Sequence, residues 1–161
     1  MTRARPKIGD YSFTTKHPHV GIVEYEDFEQ LSIADLPGLL PDLSFGKNFL
    51  YHLEKCKIIL YVVDITRENP LEQFKNMRNI LLNFDTNIVI NKPSILIANK
   101  IDILEKNDPS GLKEKLDNLR NNSDQIVAPV SALNKINLRK FLKIFRDLND
   151  NFVKNKKESF D

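Results

Sequence analysis

Five short apolar segments predict β-strands, and they are residues 20–26, 31–35, 58–63, 94–98 and 126–130. The first two are close enough in sequence to pair as a hairpin. The third and fourth are continuously apolar, which is typical of strands that are buried on both faces of a parallel sheet. The pattern therefore predicts a hairpin near the start of the chain and a buried sheet in the remainder.

Amphipathic stretches between these strands predict helices. Asn69-Pro70-Leu71-Glu72 combines a capping residue, a proline at the first helical position and a glutamate at the third, and Asp108-Pro109 repeats the start. Apolar side chains recur at helical spacing in residues 49–56 and again from Asn137 to Phe152. Because strands alternate with helices, we predict an α/β fold with a mostly parallel sheet and flanking helices.

The composition is that of an ordinary globular protein. The 161 residues are 41% hydrophobic and 29% charged, and the net charge of +2 gives no reason to expect a nucleic-acid partner. The single cysteine excludes an internal disulfide and a cysteine metal cluster. No apolar run approaches the ~20 residues of a membrane span, and the basic N-terminus lacks the apolar core of a secretion signal. We therefore expect an intracellular protein without a membrane span.

Polar motifs follow three of the predicted strands at their carboxyl ends, where open parallel sheets bind ligands. They are Asp35-Leu-Pro-Gly38, Asn99-Lys-Ile-Asp102 and Ser131-Ala132. The Asp35 carboxylate can hold Mg²⁺ through water, and the Gly38 amide can meet a terminal phosphate. Each motif alone is also consistent with an ordinary polar turn after a strand. Three of them in this order favour a nucleotide site.

The motif at residues 99–102 suits guanine in particular. The Asp102 carboxylate can accept from both N1–H and the exocyclic N2–H of guanine, a match that adenine does not offer. Asn99 can brace the loop and reach the base edge, and the stem of Lys100 can cover the base face. The backbone N–H of Ala132 can donate to guanine O6. These roles predict a base-recognition surface.

The order of the motifs resembles the G2 to G5 motifs of translation-factor-class GTPases, namely Phe13-Thr-Thr15, Asp35-Leu-Pro-Gly38, Asn99-Lys-Ile-Asp102 and Ser131-Ala-Leu133. The segments Arg5–Thr15, Phe49–Glu54 and Leu60–Asp64 resemble the Obg family in particular. The similarity covers residues 5–148. It is nearest to the eukaryotic branch of GTP-binding protein 10, whose members act in mitochondrial large-subunit ribosome assembly.

This resemblance implies a P-loop NTPase-like, Ras-like fold that binds GTP or GDP with Mg²⁺. It assigns a phosphate and switch role to Phe13, Thr14, Thr15, Asp35, Leu36, Pro37 and Gly38. Two of these, Thr15 and Asp35, would hold the metal. It assigns guanine binding to Asn99, Lys100, Asp102, Ser131, Ala132 and Leu133. Leu39 stands where Ras-like proteins have a water-orienting glutamine, so no catalytic side chain is assigned and slow intrinsic hydrolysis is expected.

The resemblance also implies partners, a location and a domain division. We expect the large ribosomal subunit or ribosomal RNA as the partner and a monomeric protein. The mitochondrion is the expected compartment, with the nucleolus and the cytoplasm as alternatives. Residues 1–153 are expected to form a partial OBG-type G domain, and residues 154–161 a lysine-rich C-terminal tail.

The sequence departs from the family in the phosphate-binding loop. The pattern G-x-x-x-x-G-K-S/T occurs nowhere, and the single Gly-Lys pair, Gly46-Lys47, is followed by Asn48. The first strand, the phosphate-cradling amides and the first helix of the fold would be missing with it. We therefore expect an N-terminally truncated G domain that binds GTP weakly or not at all. The alternative is a nucleotide-independent module that contacts the ribosome or RNA.

Overall fold

The structure, a computed structural model, describes residues 19–36 and 53–158. The chain divides into two compact units, one within residues 1–49 and the other from residue 50 onward. The first unit contains an antiparallel hairpin, and the second contains a parallel sheet with helices.

The hairpin consists of β1 (His19–Glu24) and β2 (Gln30–Asp35), paired in register from His19 opposite Asp35 to Glu24 opposite Gln30. The N–H of Tyr25 donates to the carbonyl of Glu29 at 2.9 Å and closes the turn. Phe28 lies in this turn with a φ of 65°, in the left-handed region that a bulky side chain disfavours. The predicted hairpin is confirmed, although the first strand ends two residues earlier than predicted, where the turn begins.

The second unit is built on three parallel strands in the order β3-β4-β5. They are β3 (Ile59–Asp64), β4 (Ser94–Asn99) and β5 (Ile126–Pro129). The central strand β4 is buried over residues 95–98, as the continuous apolar run predicts. The same prediction for β3 is wrong, because its burial alternates along the strand and Val62 is 50% exposed. Asp64 is aligned with Asn99, and Ala98 with Pro129, so the carboxyl ends of the three strands meet at one edge of the sheet.

Five helices lie wholly within the described residues of this unit: α1 (Pro70–Phe84), α2 (Thr86–Asn91), α3 (Ile101–Asn107), α4 (Pro109–Asn122) and α5 (Leu138–Glu158). Both predicted caps are confirmed. The side chain of Asn69 accepts from the Glu72 N–H at 3.1 Å, and that of Asp108 accepts from the Gly111 N–H at 3.0 Å. These bonds satisfy N–H groups that the first turn of a helix leaves unpaired.

The last predicted helix is longer than its apolar pattern indicated. Helix α5 continues to Glu158, so it includes residues 154–158 of the expected lysine-rich tail. The predicted helix at residues 49–56 falls partly outside the described residues, and residues 53–55 of it are helical. Within the described ranges, no helix is both long enough and apolar enough to cross a membrane.

Aromatic side chains fill the space between the sheet and the helices. Tyr61 on β3 is buried and packs edge-to-face on Phe74 of α1, with ring centroids 5.2 Å apart. Phe141 and Phe145 of α5 are also buried and stack at 6.0 Å. The Tyr61 hydroxyl is buried without a hydrogen-bond partner among the described residues. Its burial raises the pKa of the phenol, against the opposing charge of Arg78.

This unpaired hydroxyl predicts an unusual result for Tyr61→Phe. The substitution keeps the ring against Phe74 and removes a group whose desolvation costs about 1–3 kcal/mol when it has no partner. We therefore expect the free energy of unfolding to stay the same or to rise, as measured by urea denaturation. As a control, Tyr61→Ala should lower it by about 3–5 kcal/mol because it empties the core. A clear loss of stability in Tyr61→Phe would contradict the prediction.

Candidate functional site

Backbone hydrogen bonds join the loops that leave the carboxyl ends of the three parallel strands. The N–H of Ile65, just after β3, donates to the carbonyl of Asn99 at 3.1 Å. The N–H of Val130, just after β5, donates to the Ala98 carbonyl at 2.9 Å, and the N–H of Ile101 donates to the Val130 carbonyl at 3.3 Å. Val130 and Ile101 are buried. The sheet ladder therefore continues past the strand ends and holds the loops side by side.

Asn99 connects the loop after β4 to the loop after β5. Its Oδ1 accepts from the backbone N–H of Ala132 at 3.0 Å, which is the bracing contact predicted from the sequence. The Ala132 amide is also the group predicted to donate to guanine O6. In the structure Asn99 takes that donor, so a bound base would have to share the amide or displace the Asn99 oxygen from it.

The loop after β5 is closed on itself. Ser131 and Ile136 exchange two backbone hydrogen bonds of 3.2 and 3.1 Å. The Ser131 side chain is 1% exposed, and its Oγ accepts from the N–H of Asn134 at 3.1 Å. Ala132 and Leu133 are exposed, Leu133 to 78%. Ser131 thus serves as an internal brace, and the two residues that follow it face solvent.

Asp102 is held by Asn134, a residue outside the motifs predicted from the sequence. Asp102 is the second residue of α3, and its Oδ2 accepts from Nδ2 of Asn134 at 3.0 Å. A carboxylate has about four acceptor positions on its two oxygens, so this contact leaves acceptor capacity for a ligand. The two partners are 32 residues apart, and no local pattern in the sequence signals their contact.

Lys100 is the N-cap residue of helix α3, and its backbone has the left-handed conformation, with φ 70° and ψ 31°. Its Nζ lies 2.8 Å from Oδ2 of Asp64, the last residue of β3. The lysine side chain is 52% exposed, whereas that of Asp64 is 16% exposed. The Lys100 stem therefore runs from the end of β4 to the end of β3. The sequence predicted that the Lys100 stem would cover the face of a base, and it gave no indication of this ion pair.

Asp64 is the most strongly bonded carboxylate of this edge. Its Oδ1 accepts from both the N–H and the hydroxyl of Thr66, at 3.0 and 2.6 Å. Burial alone would raise the pKa of Asp64, but the hydrogen bonds from Lys100 and Thr66, together with the Lys100 charge, outweigh burial and lower it. Asp64 is therefore charged at neutral pH and anchors Lys100.

The residues predicted for phosphate and metal binding belong to the other unit. Asp35 is the last residue of β2 and is exposed, and Leu36 follows it. The predicted residues outside the described ranges are Phe13, Thr14, Thr15, Pro37 and Gly38. No group of three His, Cys, Asp or Glu residues in the described ranges could hold a metal ion. A carboxylate is a ligand type that Mg²⁺ prefers, so Asp35 fits the expected metal site as one of its ligands.

The comparison with protein families now decides the assignment. The sequence model of a family described as "50S ribosome-binding GTPase" matches residues 1–100, which is more than half of the chain. The chain belongs to this GTPase family. Its similar proteins include GTPases named Obg, which supports the predicted resemblance to the Obg family.

Two relatives show the extent of the similarity. GTPase Obg of Phytoplasma mali is 40% identical over 144 residues, which cover 86% of this chain and 32% of that protein. The human mitochondrial ribosome-associated GTPase 2 is 34% identical over 157 residues, which cover 95% of this chain and 37% of that protein. The chain thus spans about a third of the length of these relatives.

A solved structure confirms the fold class. The crystal structure of Era in complex with MgGDPNP and nucleotides 1506–1542 of 16S ribosomal RNA matches with a TM-score of 0.66 and 22% identity. The match covers 88% of this chain and 47% of the Era chain. The chain therefore has the predicted α/β fold, with a parallel three-stranded sheet and flanking helices.

The Asp64 cluster predicts a pH-dependent contribution to stability. Because the pKa of Asp64 is lowered in the folded state, its charge stabilises the fold above the unfolded pKa of about 3.9. This contribution is lost as the pH falls through the lower, folded pKa. Asp64→Asn should therefore reduce the free energy of unfolding at pH 7, and the difference from wild type should shrink below about pH 4. Urea denaturation at several pH values measures it.

Asp117→Asn is the matched control. Asp117 pairs with Arg120 at 3.1 Å, but both side chains are about half exposed. Such a surface pair contributes about 0–1 kcal/mol. A stability loss in Asp64→Asn that is constant from pH 7 to pH 3, or no larger than the control, would contradict the anchoring role of Asp64.

Proposed function

We propose that the loops after β4 and β5 bind guanine and that the chain is the base-recognising part of an Obg-type GTPase. The observation that carries the proposal is the pair of cross-loop hydrogen bonds, from Ala132 to Asn99 and from Asn134 to Asp102. They bring two sequence motifs that are far apart in the chain into one polar surface. Two unrelated polar turns would not be expected to share such hydrogen bonds.

Each residue of this surface has a chemical role in the proposal. Asp102 accepts from N1–H and N2–H of guanine, and Lys100 lays its stem across the base face while Asp64 holds its amine. The Ala132 amide transfers from Asn99 to guanine O6, and Asn99 then turns to the base edge. Ser131 fixes the loop from inside. Leu133 offers an exposed apolar side chain at the rim of the site.

The phosphate half of the site rests on the family resemblance. Thr15 and Asp35 would hold Mg²⁺, which neutralises phosphate charge when bound. Gly38 would contact the terminal phosphate, and the remaining switch positions are Phe13, Thr14, Leu36 and Pro37. Since the sequence contains no G-x-x-x-x-G-K-S/T pattern, no phosphate cradle of that type supports GTP or GDP. We therefore propose selective but weak nucleotide binding by this chain.

The proposed biological setting is assembly of the large ribosomal subunit in mitochondria. The family description includes binding to the 50S ribosome, and one relative is named a mitochondrial ribosome-associated GTPase. A nucleotide-independent ribosome- or RNA-interaction module is the second candidate, and the lack of a phosphate-binding loop pattern favours it. Co-sedimentation with mitochondrial large ribosomal subunits, with and without GTP, separates the two. Binding that GTP changes supports the first candidate, and binding that GTP leaves unchanged supports the second.

Base recognition can be tested directly with Asp102→Asn. An amide at position 102 presents one acceptor and one donor, which match N1–H and the 2-oxo group of xanthine instead of guanine. Calorimetry at millimolar nucleotide should show that the wild type prefers GDP to ADP and to XDP. The variant should prefer XDP to GDP. Unchanged GDP preference in Asp102→Asn would reject the base-reading role of Asp102.

The same calorimetric titration, with GTP and Mg²⁺, tests the proposed weakness of binding. We expect a dissociation constant far above about 1 µM, because most of the phosphate contacts of the family have no counterpart in the sequence. A dissociation constant below about 1 µM would show that the phosphates are held by other groups and would reject the proposal of weak binding.

A further inference from the structure

We propose that Asn134 is a positioning residue that orients Asp102 toward the 2-amino group of guanine. The inference rests on the proposed guanine site and adds a residue that belongs to none of the sequence motifs. It predicts that Asn134 contributes to the discrimination between guanine and hypoxanthine, a base that lacks the 2-amino group. Asn134 touches Asp102 and needs no contact with the base to act in this way.

The backbone of Asn134 is held in place before its side chain reaches Asp102. Its N–H donates to the buried Oγ of Ser131 at 3.1 Å, inside the loop that Ser131 and Ile136 close. Its Nδ2 then donates to Oδ2 of Asp102 at 3.0 Å. With the backbone fixed by the bond to Ser131, the hydrogen bond to Asp102 sets the direction of the side-chain donor.

The identity of the contacting atom follows from chemistry. An amide oxygen and nitrogen are assigned from their hydrogen bonds, and an ionised carboxylate only accepts. The group of Asn134 that faces Asp102 must therefore be Nδ2. In the part of the chain that the structure describes, this is the one hydrogen bond that the Asp102 side chain receives. The orientation of the Asp102 carboxylate thus depends on Asn134.

Orientation matters because guanine would be bound by two parallel hydrogen bonds. A carboxylate that rotates about its Cβ–Cγ bond can keep one bond to N1–H, but it loses the second bond, to N2–H, in most orientations. Fixing it before the ligand arrives removes the cost of ordering one side chain on binding. The contact uses one of the acceptor positions and leaves the others for the base. Loss of Asn134 should therefore weaken guanine binding more than hypoxanthine binding.

The test compares GDP, IDP and ADP on the full chain by calorimetry or ligand-detected NMR. We expect Asn134→Ala to lower the GDP affinity about three- to tenfold and the IDP affinity less, so that the GDP/IDP ratio falls. Asn134→Asp has nearly the same shape but no donor, and its charge faces Asp102, so it should lose more. Asn122→Ala is the control, since among the described residues the Asn122 side chain bonds to Asn118 of its own helix α4 alone, and the substitution should leave the ratio unchanged.

A measurement without nucleotide tests the contact between Asn134 and Asp102 itself, and the nucleotide preferences separate the two proposals. In a ¹⁵N–¹H spectrum of the free chain, the Asn134 side-chain amide should show a proton protected from exchange, and Asp102→Ala should abolish the protection. If the wild type prefers guanine but the GDP/IDP ratio is unchanged in Asn134→Ala, the role of Asn134 is overturned and the proposed guanine site stands. Wild type with no preference for GDP over ADP would overturn the proposed guanine site and this inference with it, even if the amide signal confirmed the contact.

Discussion

The register of the three parallel strands is the constraint on which this molecule depends. Because Asp64 is aligned with Asn99, and Ala98 with Pro129, the chain leaves all three strands at the same edge of the sheet. The buried residues of β4 fix this register, since a shift by one position would bring Ser94 or Asn99 into the buried stretch in place of an apolar residue. Polar residues that follow the strands are brought together as a consequence. In an open parallel sheet this edge is where ligands bind.

A second level of order lies in the side-chain contacts between the loops. Asp64 holds Lys100, Asn99 holds the Ala132 amide, and Asn134 holds Asp102, each at 2.8 to 3.0 Å. These contacts lie at the solvent-exposed edge of the sheet. Their effect is to order the loops before a ligand arrives, which lowers the conformational cost of binding. In the proposed guanine site, the fold itself would thus arrange the recognition surface.

Local signals in the sequence predicted most of the fold, and contacts across it could not be predicted. The caps at Asn69 and Asp108 were read from short patterns that act within one helical turn. Helix α2 was not predicted because its β-branched residues have low helix propensity. Helix α3 was not predicted because its N-cap residue, Lys100, is left-handed and makes no side-chain cap hydrogen bond. The motif residues of the proposed guanine surface were identified from the chemistry of the strand-end motifs together with the family resemblance. The support from Asn134 and Asp64 depends on distances between strands and loops, which no sequence window contains.

The most direct test of the central claim is to map where a nucleotide contacts the chain. A ¹⁵N-labelled protein titrated with GDP, and separately with ADP, reports each backbone amide even when binding is weak. The account predicts that GDP shifts the amides of residues 99–102 and 131–134 and that ADP at the same concentration does not. Equal shifts with both nucleotides, or GDP shifts confined to other parts of the chain, would contradict guanine recognition at the ends of β4 and β5.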